Sequence, residues 1–131
     1  MVTRRHLLGF VALAGAVSIA ADAFAVEGRP FDRQAFEQAQ AAGKPILVEV
    51  SAPWCPICKA QAPILSKLRS DSRFKELVSF NIDFDSQKDL LRQFRVQTQS
   101  TLIVFKGKQE VGRSVGDTRA ASIEALLAKS I

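Results

Sequence analysis

The stretch SAPWCPICK, Ser51 to Lys59, holds both cysteines of a 131-residue chain, three positions apart with a proline directly after the first. Before it, behind Pro45, runs Ile46-Leu47-Val48-Glu49-Val50, apolar on both faces except at Glu49, the pattern of a central buried strand. After it, to about Arg69, Ile57, Gln61, Ile64 and Leu68 fall along one side, with Cys58, Ala62 and Leu65 beside them, so this segment reads as a helix. The cysteines therefore mark a strand-to-helix junction. With Cys55 at the helix start, Pro56 takes the first helical position, where its missing N–H would have had no partner. Unpaired N–H groups and the positive end of the helix dipole then favour thiolate over thiol at Cys55. Cys58 lies on the same face of the first turn and can attack a mixed disulfide formed at Cys55, so two exchange steps transfer one disulfide. This predicts Cys55 as an exposed low-pKa nucleophile, Cys58 as the resolving thiol, and Trp54 as a flat apolar surface for a partner protein.

The same reading extends to both sides. Asp32 can cap a helix through about Ala42, with Phe36 and Ala39 inward and Gly43 as its stop. Asp71 to Leu77 suggests a short turn of helix. Val78 to Phe84 alternates as a strand. Ser86 is placed as the cap of a further helix, with Asp89 three residues on and Leu90, Leu91 and Phe94 inward. Thr101 to Phe105 reads as a second buried strand, Lys106-Gly107-Lys108 as a turn, and Glu110 to Val115 as a more polar last strand. Gly116-Asp117-Thr118 leads into a closing helix with Ile123, Leu126 and Leu127 on one face. Strands separated by helices are expected to pair in parallel, with the closing hairpin adding an antiparallel edge. The fold class is α/β, a central mixed sheet flanked by helices on both faces.

The first 25 residues carry a different pattern. Arg4 and Arg5 precede an apolar and small-residue run from Leu7 to Ala21, and Ala23-Phe24-Ala25 gives a small-x-small end. That is a secretory signal peptide cleaved after Ala25, leaving one domain over 26–131; a retained anchor is the alternative. Thr3-Arg4-Arg5-His6-Leu7-Leu8 also resembles the twin-arginine export signal, and the route is left open between the two. The expected location is a bacterial periplasm, where disulfides persist. Cleavage takes away Arg4, Arg5 and Asp22, lowering the formal net charge from +5 by one, and also His6, the only histidine. No basic block remains, which argues against nucleic acid as a partner.

Trp54-Cys55-x-x-Cys58-Lys59 after an apolar strand resembles the active site of the thioredoxin family. Pro63, five residues after Cys58, stands where thioredoxins carry a helix proline, and it cannot bond the carbonyl of Lys59. Asn81-Ile82-Asp83, Phe94-Arg95-Val96, Gly107 and Gly116 fit the later strands and turns, so the likeness covers nearly all of 26–131. The resemblance implies a thioredoxin-like fold and gives Glu49, six residues before Cys55, the part of a buried acid that relays the proton of the second cysteine. Desolvation inside a central strand fits that part, because it raises a carboxyl toward neutral pH. An ion pair with a residue such as Lys59 is the plainer alternative. One departure stands out. The family carries a cis-proline before its fourth strand, and Ser100 occupies that place here; no proline follows Pro63. A cis bond before a non-proline residue costs about 2.5–4 kcal/mol, so a trans bond and a re-shaped loop are expected, with the Ser100 N–H and hydroxyl near the sulfurs. Trp54, Pro56, Gln99 and Ser100 are the expected substrate-binding residues.

The function expected is thiol–disulfide exchange on protein disulfides through Cys55 and Cys58, by a monomer needing no cofactor. Reduction is favoured as its direction; in an oxidising compartment that needs a membrane electron donor. Three alternatives stay open. Pro56 also fits a thiol oxidase of the same fold. The dithiol could hold a metal or iron–sulfur cluster across a dimer, although such sites take about four ligands. An inert staple is the third, weakened because so short a loop removes little chain entropy.

Overall fold

The computed structural model describes residues 28–131. The signal-peptide and export readings at 1–25 lie outside the described residues. Strand β1 is Arg29–Pro30, β2 Pro45–Ser51, β3 Val78–Asp83, β4 Thr101–Lys106 and β5 Gln109–Val115. Helix α1 is Arg33–Ala41, α2 Pro56–Arg69, α3 Lys88–Gln93 and α4 Ala120–Ala128, with a 3-10 turn at Ser72–Phe74. The sheet order is β1-β3-β2-β4-β5. Pairs β1–β3 and β2–β3 are parallel; β2–β4 and β4–β5 are antiparallel. Among the described residues no helix is long and apolar enough to cross a membrane.

Alternation along the central strands builds two separate cores. Ile46, Val48 and Val50 of β2 and Ile103 and Phe105 of β4 face α1 and α3, while Leu47, Leu102 and Val104 face α2 and α4. The first core is made largely of phenylalanine. Phe36 stacks edge-on with Phe80, Phe94 and Phe105 at centroid distances of 5.8, 5.5 and 5.5 Å. Glu49 takes the same side of the sheet as Leu47 and so turns toward α2.

Three expectations are corrected. First, β4 runs antiparallel to β2 although a helix separates it from β3. Ser51 is level with Asp83, and Val50 with Thr101, so the chain leaves β3 and enters β4 at the same end of the sheet. Helix α3, six residues long, spans only about 9 Å, and the loops on either side of it are tied to the same end of β2 by Phe84 N–H to the Ser51 carbonyl and Ser100 N–H to the Val50 carbonyl. Second, Ser86 does not cap α3. Gln87 is the cap residue, without a side-chain bond to the helix, and the Ser86 hydroxyl donates instead to Asp83. Third, the two-residue β1 extends the sheet beside β3, too short to show a period in sequence.

Candidate active site

The β2–α2 junction brings the two cysteines together as expected: Cys55 is the N-cap of α2, Pro56 its first residue, and the sulfurs are joined in a disulfide with the Cα atoms 5.3 Å apart. The Cys58 N–H donates to the Cys55 sulfur at 3.1 Å, so an orphan donor of the helix terminus points at that atom. Exposure differs from expectation. Cys55 is fully buried and Cys58 half-buried. The Cys55 side chain turns back over its own helix to meet the Cys58 N–H, which draws it inward. Ile57, placed on the inward stripe by its spacing, is instead 41% exposed beside the disulfide.

Trp54 is 54% exposed, and its ring stands edge-on to Phe84 while its Nε1 donates to Asp85 Oδ2 at 2.9 Å. Pro56 is exposed next to it. The turn carrying Phe84 and Asp85 is fastened by Asp83. Its carboxylate accepts from the Asp85 N–H, and with the Ser86 hydroxyl this holds it below the usual carboxylate range. A depressed folded-state value contributes stability that is present above the unfolded value of about 3.9 and lost as pH falls through the folded one. The Asp83 side-chain carboxyl resonance is therefore expected to hold its position from neutral pH to about 4 and to move only in stronger acid. A midpoint at or above the free-aspartate value would contradict this geometry.

Ser100 has no cis bond before it, and none occurs among the described residues. The loop closes by another device. Ser100 is left-handed, with φ 58°, a conformation that a non-glycine residue holds only when its surroundings over-determine it. Its N–H donates to the Val50 carbonyl at 2.7 Å and its hydroxyl to the Gln99 carbonyl at 2.5 Å. The Ser100 carbonyl accepts from the Gly116 N–H at 3.0 Å. The N–H and hydroxyl expected near the sulfurs are thus engaged within the protein, and Ser100 is only 3% exposed. Gln99 is half-buried, with its carbonyl taken by Ser100.

Glu49 forms an ion pair, with Arg69 rather than Lys59: Arg69 Nη2 lies 2.5 Å from Glu49 Oε2, the two side chains 6% and 14% exposed. Arg69 Nε also donates to Ser79 Oγ on β3 at 3.0 Å. The pair lines a cleft of about 640 Å3 with Ala62, Pro63, Ser66 and Asn81. A side chain at Gly28 would stand 3.2 Å from Glu49 Oε2, so glycine there leaves the pair its room. Arg69→Met is expected to lower stability at pH 7 by about 2 kcal/mol, less than for a sealed pair because the cleft admits water. Urea unfolding would measure it, and a loss below about 0.5 kcal/mol would mark the pair as energetically idle.

Sequence reasoning missed Gln61 and Arg69. Gln61 sits on the apolar stripe of α2, 2% exposed, and a polar residue on that stripe was the available signal. Arg69 closes α2 as an ordinary terminal cation, and nothing in its spacing pointed at Glu49. Among the described residues no group of three or more His, Cys, Asp or Glu side chains gathers as metal ligands.

The thioredoxin family model matches residues 28–129. The bifunctional thioredoxin reductase/thioredoxin of Mycobacterium leprae is 35% identical over 92 residues, 70% of this chain but 20% of that protein. The thioredoxin of Mycobacterium tuberculosis is 38% identical over 80 residues, 61% of this chain and 68% of that one. Among solved structures, Trxlp from Edwardsiella tarda is 44% identical, with a TM-score of 0.74, over 77% of this chain and 98% of its own.

Proposed function

Because this chain belongs to the thioredoxin family, we propose that it is an exported thiol–disulfide oxidoreductase that reduces protein disulfides in the periplasm. The observation that carries the chemistry is the Cys58 N–H directed at the Cys55 sulfur, 3.1 Å away, at the mouth of α2. In the reduced protein that donor and the helix dipole favour a Cys55 thiolate. The thiolate attacks one sulfur of a substrate disulfide; that bond breaks, and the first substrate thiolate leaves and takes a proton. Cys58, once deprotonated, attacks the Cys55 sulfur, and the second substrate thiol departs. The substrate has gained two electrons and two protons, and the protein is left with the disulfide seen here.

Glu49, held by Arg69 in the cleft along α2, is the carboxylate that receives the proton of Cys58. Trp54, Pro56 and the Gln99 N–H meet the substrate chain. Arg4, Arg5 and the Leu7–Ala21 run support export, and the modest positive charge that stays after cleavage, without a basic block, suits a freely diffusing monomer. Re-reduction in an oxidising compartment needs a membrane protein that delivers electrons from the cytoplasmic side.

The deciding measurement is the reduction potential of the Cys55–Cys58 couple in a defined glutathione or dithiothreitol buffer. A value near about −270 mV is expected of a reductase; one above about −150 mV would reverse the direction of transfer.

A further inference from the structure

The loop facing the disulfide lacks a proline yet is held in one conformation by a side chain from below. Gln61 lies one turn beyond Cys58 on α2, and its amide is fully enclosed. Its Nε2 donates to two backbone carbonyls on two different loops: Ser100 at 3.3 Å and Asp117 at 2.9 Å. The Ser100 carbonyl also accepts from Gly116, so a three-way clasp ties α2, the loop before β4 and the loop after β5. All three flank the cysteine end of the sheet, where Val50 is level with Thr101 and Thr101 with Val115.

An enclosed amide that spends its donors on loop backbone fixes those loops against the helix that carries the sulfurs. One of the two residues it holds, at the longer of the two distances, is the strained one. A left-handed serine relaxes toward the ordinary regions unless its carbonyl and N–H are both held, and here Gln61 and Gly116 hold the first while Val50 holds the second. The neighbouring Gln99, half-buried between exposed Thr98 and buried Ser100, is aimed by that grip.

We propose that Gln61 is a positioning residue for substrate recognition: it locks the Gln99–Ser100 loop in its left-handed form and so presents the Gln99 N–H to a carbonyl in the extended chain of a protein substrate. This rests on the reading of the chain as an oxidoreductase acting on protein disulfides. Gln61 touches neither the sulfurs nor the substrate. Its loss should therefore weaken the handling of a polypeptide and spare exchange with a small thiol that needs no loop contact.

The test compares the wild type with Gln61→Leu and Gln61→Asn, the second keeping a buried amide too short to reach both carbonyls. Insulin is the protein substrate and dithiothreitol the reductant. KM for insulin is expected to rise roughly tenfold, the size of losing one well-placed hydrogen-bonded constraint. The rate at which dithiothreitol alone opens the Cys55–Cys58 bond is expected to change by less than about twofold, while exchange of the Ser100 and Gly116 amides accelerates at least about tenfold. A folded variant with unchanged KM overturns the proposal. So does a parallel fall in both the insulin and the dithiothreitol reactions, which would mark Gln61 as a general support. If Gln61→Leu does not fold, the asparagine variant carries the same comparison. A wild type that fails to reduce insulin while exchanging with dithiothreitol defeats the reading beneath the proposal, and that result is distinct from an unchanged KM in the variants.

Discussion

Ser100→Pro, which restores the proline typical of the family at this place, is expected to destabilise the protein by about 3 kcal/mol or more. Proline fixes φ near −65°, whereas Ser100 holds +58°. It also has no N–H, so the bond to the Val50 carbonyl at 2.7 Å is lost at a position only 3% exposed. A buried carbonyl left without a donor costs about 1–3 kcal/mol by itself. To accept the ring, the loop must turn over, which breaks the Gly116 and Gln61 bonds to the Ser100 carbonyl as well. Chemical denaturation monitored by far-UV circular dichroism reads the difference. A variant as stable as the wild type would mean that this loop converts to the family form at little cost, and the left-handed serine would then be one of two near-equal states.

The second large effect separates the two cysteines. Cys58→Ser is expected to accumulate a mixed disulfide with a protein substrate through Cys55, because the resolving attack is lost while the first survives. Cys55→Ser is expected to trap nothing and to lower turnover by at least about a thousandfold, to the level of an unassisted thiol. Mass spectrometry of trapped adducts gives the answer directly. The outcome carries weight because the disulfide form buries Cys55 and leaves Cys58 the more open sulfur. Adducts on Cys58 instead would assign the first attack to that residue and remove the helix terminus from its part in activation.

Much of this fold could be read from residue spacing. The buried strands at 46–50 and 101–105 stood out because both faces are apolar, and α2 because its start coincides with a proline where one is tolerated. The Asp32 cap was legible too, since its carboxylate accepts from the Ala35 N–H. What stayed hidden depends on where segments end up relative to each other. The direction of β4 follows from a connection whose two ends are both tied to one end of β2, Phe84 to Ser51 and Ser100 to Val50, and a rule based on alternation alone cannot register such bonds. Glu49 was visible as a charge in an apolar run, but its partner lies twenty positions away at the far end of a helix. Ser100 was flagged by what it replaces, while its left-handed backbone results from bonds to Val50 and Gly116 that no local pattern encodes.

The aromatic inventory is divided by place. Nine phenylalanines and no tyrosine accompany a single tryptophan, and that tryptophan stands at the mouth of α2, joined through Phe84 to the edge of the phenylalanine core. Indole emission from this protein therefore reports on the redox centre and whatever docks there. Loosening of the inner phenylalanine layer reaches that channel only through Phe84 and would surface more directly in the fine structure of the near-ultraviolet dichroism. The two optical signals give a built-in way to watch catalysis and unfolding separately, without a label.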